Sequence, residues 1–360
     1  MVKIHIELTN KNRLYSPGDR VKGMITIVNK KDITASSLVV GCEGYAKIGW
    51  NDTHRVIRRD GEHVATYNTK YSNEVKYFHD QLTLWKSDRK KLEGGNHIFM
   101  ISFRLPPKCP PSINGKHGCV EYSVYVKLHR PELEPKVVRL SFNVTNSLNL
   151  PSIPVSILPQ ELTLYTQIGR RRGMVDTYFS IPKRGYIPGE SVKISMIIDN
   201  KSEKEIGMMK MELVRETMFY GKLDISGMSE ALMKEEPPIK SFITESKLIM
   251  ENKRTMCILP NHYEHAIVPF RIPILPKNEY LHPSYENNSL MSIRYSIVIT
   301  LSVGSNDKIV EKMPIIIGTK PTKWSVDVSG CESKGIVIQP PTYEEVMRLR
   351  LKSPTGKGNL

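Results

Sequence analysis

Two stretches of this chain carry the same turn-and-strand motif, 171 residues apart. The first is Tyr15-Ser-Pro-Gly-Asp-Arg-Val-Lys22 and the second is Tyr186-Ile-Pro-Gly-Glu-Ser-Val-Lys193. Proline fixes φ early in a turn, glycine supplies the positive φ that follows, and the acidic residue completes the turn. The alternating apolar residues after each motif predict a strand that enters a sheet. Each tyrosine is expected to close over the start of that strand.

Two further pairs of segments repeat in the same order. Phe103-Arg-Leu-Pro106 matches Phe270-Arg-Ile-Pro273 at an offset of 167, and the segment Tyr122–Leu128 matches Tyr295–Leu301 at an offset of 173. Three matches in one order indicate two copies of one domain, and 360 residues suit two domains of ordinary size. We therefore predict the following organisation: a first domain over 1–147, a hinge linker over 148–157, a second domain over 158–320 and a tail over 321–360.

Apolar and polar residues alternate with period two over most of the chain, which predicts strands. The clearest segments of the first half are Lys3–Leu8, Val21–Val28, Leu38–Tyr45, Ile98–Phe103, Tyr122–Leu128 and Val137–Val144. Short strands at this spacing, bounded by turn residues, indicate an all-β sandwich fold. The polar stretch Gly49–Ser72 breaks the alternation and predicts a long exposed loop without a counterpart in the second copy.

The apolar runs, the N-terminal pattern and the cysteines indicate in which cellular compartment the chain is expected. No apolar run approaches the roughly 18 residues of a membrane span, and the N-terminus alternates instead of forming the apolar core of a signal peptide. The chain is therefore expected in the cytoplasm. Its five cysteines are scattered, which predicts free thiols, most of them buried. For Cys257 a redox role and a plain buried thiol are both open.

The formal net charge of +15 favours acidic partners. The basic clusters that we consider as contacts for cargo or lipid contain Arg55, Arg58, Arg59, Lys90, Lys91, Arg170, Arg171 and Arg172. None is interleaved with aromatic residues as in a nucleic-acid-binding module, so no nucleic-acid partner is expected. The alternative for each cluster is an ordinary solvated face.

No sequence pattern proposes catalysis. The chain lacks Gly-x-Ser-x-Gly, a phosphate-binding Gly-rich loop and His-Glu-x-x-His. His262 and His265 lie three residues apart without cysteine partners, which is a poor basis for a metal site. We therefore expect that this chain is not an enzyme and that it has no catalytic residue, metal or cofactor.

The last forty residues contain one Pro-Pro-x-Tyr motif, formed by Pro340, Pro341 and Tyr343. Adjacent prolines favour the polyproline II conformation, so that little conformational entropy is lost on docking. WW domains recognise this helix in an aromatic-lined groove and hold the tyrosine in a neighbouring pocket. The motif therefore predicts a WW-domain ligand, and the alternative is an unbound disordered tail.

Several segments together resemble one protein family. They are Tyr15–Asp19 with Gly23, Trp50, Tyr77-Phe78, Pro111–Val124, Leu128–Pro131 and Met313–Pro321. With them the chain resembles the arrestin-domain-containing proteins, or α-arrestins, over about residues 1–320. The resemblance implies two tandem Ig-like β-sandwiches, the N- and C-terminal arrestin domains, with a flexible C-terminal tail. Family tails often hold two Pro-Pro-x-Tyr motifs, whereas this chain has one.

The resemblance also implies a function. We expect a non-catalytic adaptor that brings WW-domain ubiquitin ligases of the HECT type to cytoplasmic segments of membrane receptors or transporters, with anionic lipids as a further contact. Ubiquitination, endocytosis and sorting of the cargo would follow, at the plasma membrane and endosomes. Two alternatives stay open: a desensitising arrestin that binds phosphorylated receptors, and a sorting subunit of the retromer type.

Overall fold

The computed structural model describes residues 2–57, 64–131, 133–169, 173–226, 239–275, 281–287 and 290–321. These residues divide into two compact units. The first unit comprises the described parts of 1–147, 216–245 and 285–293. The second comprises the described parts of 148–215, 246–284 and 294–360.

The first unit contains eleven strands from the N-terminal part of the chain. They are β1 Lys3–Leu8, β2 Leu14–Tyr15, β3 Arg20–Asn29, β4 Ile33–Thr34, β5 Ser37–Ile57, β6 Val64–Lys86, β7 Lys91–Leu92, β8 Gly95–Arg104, β9 Ile113–Asn114, β10 Gly118–Arg130 and β11 Leu133–Val144. One sheet has the order β1-β3-β8, and the other has the order β6-β5-β10-β11-β2 with β9 beside β10. The short strands β4 and β7 form a separate pair.

The remaining elements follow in chain order. They are the 3-10 helices Leu150–Ser152 and Pro154–Ile157, then β12 Gln160–Ile168, β13 Gly173–Ile181, β14 Gly185–Tyr186, β15 Ser191–Lys201, β16 Ile206–Leu223, β17 Lys240–Ile258, β18 His262–Arg271, β19 Tyr285–Asn287, β20 Met291–Val303 and β21 Asp307–Ile317. In the second unit, one sheet has the order β12-β13-β15-β18 and the other has the order β14-β21-β20-β16. Among the described residues, no helix has the length and hydropathy of a membrane span.

The predicted all-β, two-domain fold is confirmed. All six segments that alternation predicts as strands lie within observed strands. The burial pattern shows why the alternation is informative. Along β3, Val21, Ile25 and Ile27 are fully buried while Arg20 and Lys22 are exposed, so that one face of the sheet forms the core.

The predicted loop from Gly49 to Ser72 is wrong. Strand β5 continues to Ile57, β6 begins at Val64, and the antiparallel register between them is unbroken from Gly49↔Ser72 to Ile57↔Val64. Trp50 and Tyr71 are directly opposed and stacked, with ring centroids 5.4 Å apart, and both are buried. An aromatic cross-strand pair of this kind stabilises a sheet even where the flanking residues are polar.

The second copy contains a similar pair of long strands. Strands β16 and β17 pair with each other and have 18 and 19 residues, beside 21 and 23 residues for β5 and β6. The stretch Gly49–Ser72 therefore has a structural counterpart, and the prediction that it lacks one is wrong. The two pairs of strands differ so much in sequence that their correspondence cannot be recognised from the amino-acid sequence alone.

The repeated motif forms the same structure in both units. Strand β2 pairs in parallel with the last strand of its half, β11, through Tyr15↔Val144. Strand β14 pairs in parallel with β21 through Tyr186↔Ile317. Both tyrosines are buried, at 5% and 1% exposure, as the motif predicts.

Each turn is fixed by matching hydrogen bonds. Gly18 and Gly189 have φ of 87° and 90°, a region that costs other residues about 1–2 kcal/mol. The carboxylates of Asp19 and Glu190 accept hydrogen bonds from the backbone N–H three residues earlier, at 2.7 and 3.1 Å. The acidic residue therefore closes the turn, as the motif predicts.

A buried asparagine ends the strand after each turn. The Asn29 amide donates to the carbonyl oxygens of Lys31 and Glu93, at 3.1 and 2.7 Å. The Asn200 amide reaches the carbonyls of three residues, namely Lys204, Ile258 and Leu259. Both asparagines are almost fully buried, so each connects the end of its strand to a distant segment where water cannot substitute.

The segment predicted as a hinge linker lies within the second unit. Each of its two 3-10 helices has a proline in the first two positions, where the missing N–H is not needed. Leu150 is fully buried, and the Ser156 hydroxyl donates to its carbonyl at 2.7 Å. The domain boundaries stay a prediction.

Loss of either buried asparagine amide should destabilise its unit. We expect Asn29→Ala and Asn200→Ala each to lower the free energy of unfolding by about 2 kcal/mol, because buried carbonyl groups lose their donor. Urea denaturation followed by tryptophan fluorescence and circular dichroism measures this change. The exposed Asn96 supplies the control Asn96→Ala, and equal effects of all three substitutions would contradict the assignment.

Candidate interaction surfaces

The predicted WW-domain ligand, Pro340, Pro341 and Tyr343, lies outside the described residues, which end at 321. Arg58, Arg59 and the cluster Arg170, Arg171 and Arg172 also lie outside them. Arg55 lies in β5 opposite Thr66, and only its backbone is described. These assignments therefore stay predictions.

Lys91 is the first residue of β7, which pairs with β4, and Lys90 directly precedes it. Lys91 Nζ forms an ion pair with Asp32 at 2.6 Å, and both side chains are about half exposed. The ammonium group of Lys91, followed by the Gly94 N–H, holds the pKa of Asp32 below its usual value. Lys91 is thus balanced locally by an acid, and it is a weaker contact for an acidic partner than its sequence cluster suggests.

Sequence reasoning missed a concave surface on the outer face of the sheet β6-β5-β10-β11, which we call the Tyr125 patch. The patch encloses about 380 Å³ and is lined by Val39, Glu43, His79, Gln81, Tyr125, Lys127, His129, Val137 and Arg139. Strand register assembles it, because Gly41 on β5 lies opposite Gln81 on β6 and Tyr125 on β10, and Tyr125 lies opposite Arg139 on β11.

Tyr125 is the centre of the patch. The residue is only 8% exposed although its side chain faces outward from the sheet. His79 stacks on the ring with an interplanar angle of 9°, and His79 Nε2 lies 2.7 Å from the Tyr125 hydroxyl. The Arg139 guanidinium lies over the same ring, 5.2 Å from its centroid, and is ion-paired with Glu43. Aromatic and charged neighbours therefore fix the tyrosine from both sides.

The chemistry of the Tyr125 patch suits the binding of a partner and not catalysis. Burial, followed by the charge of Glu43, raises the pKa of Tyr125, so the phenol stays protonated at neutral pH. A protonated phenol donates hydrogen bonds but is a poor nucleophile or base. Gly41 is the sequence signal for this site, because a glycine inside a strand marks a close approach of another group.

Among the described residues, the four cysteines and the histidine pair His262 and His265 show no activated chemistry. Burial raises the pKa of the Cys42 thiol to about 12. Cys257 is exposed rather than buried, and the Glu205 carboxylate raises its pKa, which disfavours the reactive thiolate. His262 and His265 are three residues apart in strand β18, so they point to opposite faces of the sheet. Across the described ranges, no cluster of three or more His, Cys, Asp or Glu could hold a metal ion.

Gly41→Ala should lower the free energy of unfolding, because it disturbs the packing of the Tyr125 patch. A Cβ at this position would lie 2.3–2.4 Å from ring atoms of Tyr125, so the ring would have to move, at a cost of about 1–3 kcal/mol. Gly49 lies on the same strand, and its nearest neighbour would be 3.6 Å away, so Gly49→Ala is the matched control. Thermal unfolding measures both. A cost that persists when Gly41→Ala is made in a Tyr125→Ala background would contradict the assigned contact.

Comparison with known proteins agrees with this fold. Residues 4–151 match the family described as "Arrestin (or S-antigen), N-terminal domain", and residues 171–322 match "Arrestin (or S-antigen), C-terminal domain". Human Arrestin domain-containing protein 1 is 25% identical over 60% of this chain, and the match covers 47% of that protein, about half its length.

Two other relatives are matched over more of their length. Mouse Arrestin domain-containing protein 4 is 22% identical over 85% of the chain and 69% of that protein. Human Arrestin domain-containing protein 5 is 23% identical over 93% of the chain and 92% of that protein. Two arrestin domains in the expected order and these relatives lead to one conclusion: the chain belongs to the arrestin-domain-containing, or α-arrestin, family.

Proposed function

We propose that this chain is a non-enzymatic adaptor that recruits WW-domain ubiquitin ligases of the HECT type to membrane-protein cargo. The observation that carries the proposal is the motif Pro340-Pro-Thr-Tyr343, which follows the two arrestin domains in the chain. The cargo would then be ubiquitinated, internalised and sorted. Such an adaptor acts in the cytoplasm, peripherally at the plasma membrane and endosomes.

The arrestin domains and the tail of the adaptor have separate tasks. The arrestin domains supply rigid sheets whose outer faces and loops can contact a cytoplasmic segment of a receptor or transporter. The tail motif presents a preorganised polyproline segment and one tyrosine ring to the ligase. A single motif binds weakly by itself, so a second contact at the membrane would raise the effective concentration of the ligase near the cargo.

Tyr343→Ala should abolish ligase recruitment, because the WW domain loses the ring that fills its pocket. The measurement is an affinity pull-down of the full chain from cell extract, with quantification of WW-domain ubiquitin ligases. Thr342→Ala changes the neighbouring position that the motif leaves unspecified, and it should leave capture unchanged. Equal capture of these ligases by Tyr343→Ala and by the unsubstituted chain would sink the proposal.

Phosphorylation of Tyr343 should block recruitment, because it places a doubly charged group in an apolar pocket. Fluorescence anisotropy with a purified WW domain and peptides covering residues 335–350 tests this expectation. The phosphorylated peptide should bind at least about ten-fold more weakly than the plain one. Equal affinities would contradict the assigned role of the tyrosine ring.

The net charge of +15 supports a second candidate, an arrestin that binds phosphorylated receptor tails without a ligase. This candidate predicts salt-sensitive capture of a phosphorylated receptor peptide that survives Tyr343→Ala. The adaptor proposal is preferred because it uses the Pro-Pro-x-Tyr motif, which phosphoreceptor binding leaves without a role.

A further inference from the structure

The outer face of the sheet β1-β3-β8 in the first unit combines exposed apolar and basic side chains. Its three strands are fully described and lie side by side in antiparallel register. Strand β3 contributes Met24 and Val28, and strand β8 contributes Ile98 and Met100. Lys3, Arg20, Lys22 and Arg104 lie on the same face, with Glu7 as its single carboxylate.

The apolar side chains of this face protrude into solvent. Met100 is 73% exposed, Ile98 is 61% exposed and Val28 is 38% exposed. Met24 lies directly opposite Met100, so the apolar residues are neighbours across two strands. Single exposed apolar residues are ordinary, but a contiguous group bordered by charges marks a binding surface.

The arrangement of the basic side chains does not stabilise the sheet itself. Arg20 lies directly opposite Arg104, and like charges at opposed positions destabilise a sheet. Lys22 lies two residues along the same face. Within the part of the chain that the structure describes, none of these three side chains forms an ion pair. Their charge is therefore available to an anionic partner.

The second unit provides an internal comparison, because the same strands recur there. Ser191 takes the place of Arg20, so that the opposed pair of arginines is absent. Arg271 takes the place of Arg104, and its Nε donates to the Gly189 carbonyl at 3.3 Å. The opposed pair of arginines thus belongs to the first half alone and is not required by the repeated fold, whereas the second half keeps Lys193, Arg271 and the exposed Ile267 on the equivalent face.

We propose that this face docks on an anionic lipid surface. The basic side chains contact phosphate and carboxylate headgroups, while Ile98 and Met100 enter the headgroup region. The sheet is about 10 Å wide, and the apolar side chains stand out from it instead of lining a groove. Peptide recognition uses grooves or free strand edges, whereas interfacial membrane binding combines protruding apolar side chains with basic ones.

The proposal goes beyond ligase recruitment and does not depend on it. Vesicle binding requires neither the ligase nor the tail motif, so failure of one proposal leaves the other standing. If both hold, lipid docking supplies the second contact that a single Pro-Pro-x-Tyr motif needs.

Co-sedimentation of the purified full chain with vesicles tests the proposal. The vesicles contain 30% phosphatidylserine in phosphatidylcholine, and pure phosphatidylcholine vesicles serve as the reference. We expect binding to the anionic vesicles only, and weaker binding as salt increases. No difference between the two vesicle types would overturn the proposal.

Two double variants with the same change of net charge locate the contact. Arg20→Gln with Arg104→Gln should weaken vesicle binding roughly 25-fold, since each basic side chain near an anionic surface contributes about five-fold. Lys193→Gln with Arg271→Gln, at the positions of the second unit that correspond to Lys22 and Arg104, should change it less than about two-fold. Equal losses would assign the binding to net charge alone and overturn the proposal.

A charge-preserving variant and an apolar variant complete the test. Arg20→Lys with Arg104→Lys should retain binding, which separates charge from a folding defect. Ile98→Ser with Met100→Ser should weaken binding about ten-fold or more, whereas Ile267→Ser, at the exposed position on β18 equivalent to Met100, should not. No effect of the apolar pair, or tighter binding to soluble polyglutamate than to vesicles, would exclude docking on lipid.

Discussion

Each half of this protein is closed by a short parallel pairing between the strand that carries the turn motif and the last strand of the same half. In the first half Thr145 donates to the Tyr15 carbonyl, and in the second Gly318 donates to the Tyr186 carbonyl, both at 2.9 Å. These bonds join segments more than a hundred residues apart in the chain. They fix where the turn begins, and thereby the register of the long strand that follows it and the position of the buried asparagine at its end.

The sequence predicts this scaffold well because its determinants are local. Proline, glycine and an acid specify the turn within five residues, and period-two alternation specifies the strands that follow. The stretch Gly49–Ser72 was not predictable in the same way. Its pairing depends on Trp50 stacking on Tyr71, a contact between residues on different strands that alternation within either strand does not reveal.

The interaction surfaces were harder to predict for the same physical reason. The Tyr125 patch takes residues from four strands, and only the register brings His79 and Arg139 to the same ring. The outer face of β1-β3-β8 likewise arises because Arg20 and Arg104 become opposed across two strands. In contrast, the Pro-Pro-x-Tyr motif is contiguous, so the sequence alone identifies it. The turn motif and the strands that both halves share build the fold. The Tyr125 patch, the opposed arginines and the Pro-Pro-x-Tyr motif each occur once, and they are the candidates for function.

Amide hydrogen exchange tests most directly whether the parallel pairs close each half of the protein. The relevant amides are those of Asn143 and Thr145 in the first half and Ile316 and Gly318 in the second, all of which donate to backbone carbonyls at the turn motif. We expect them to exchange as slowly as amides in the centre of their own sheets, because they open only when that half unfolds. Exchange as fast as that of the exposed Asn12 amide would show that the pairs open locally and would contradict this account.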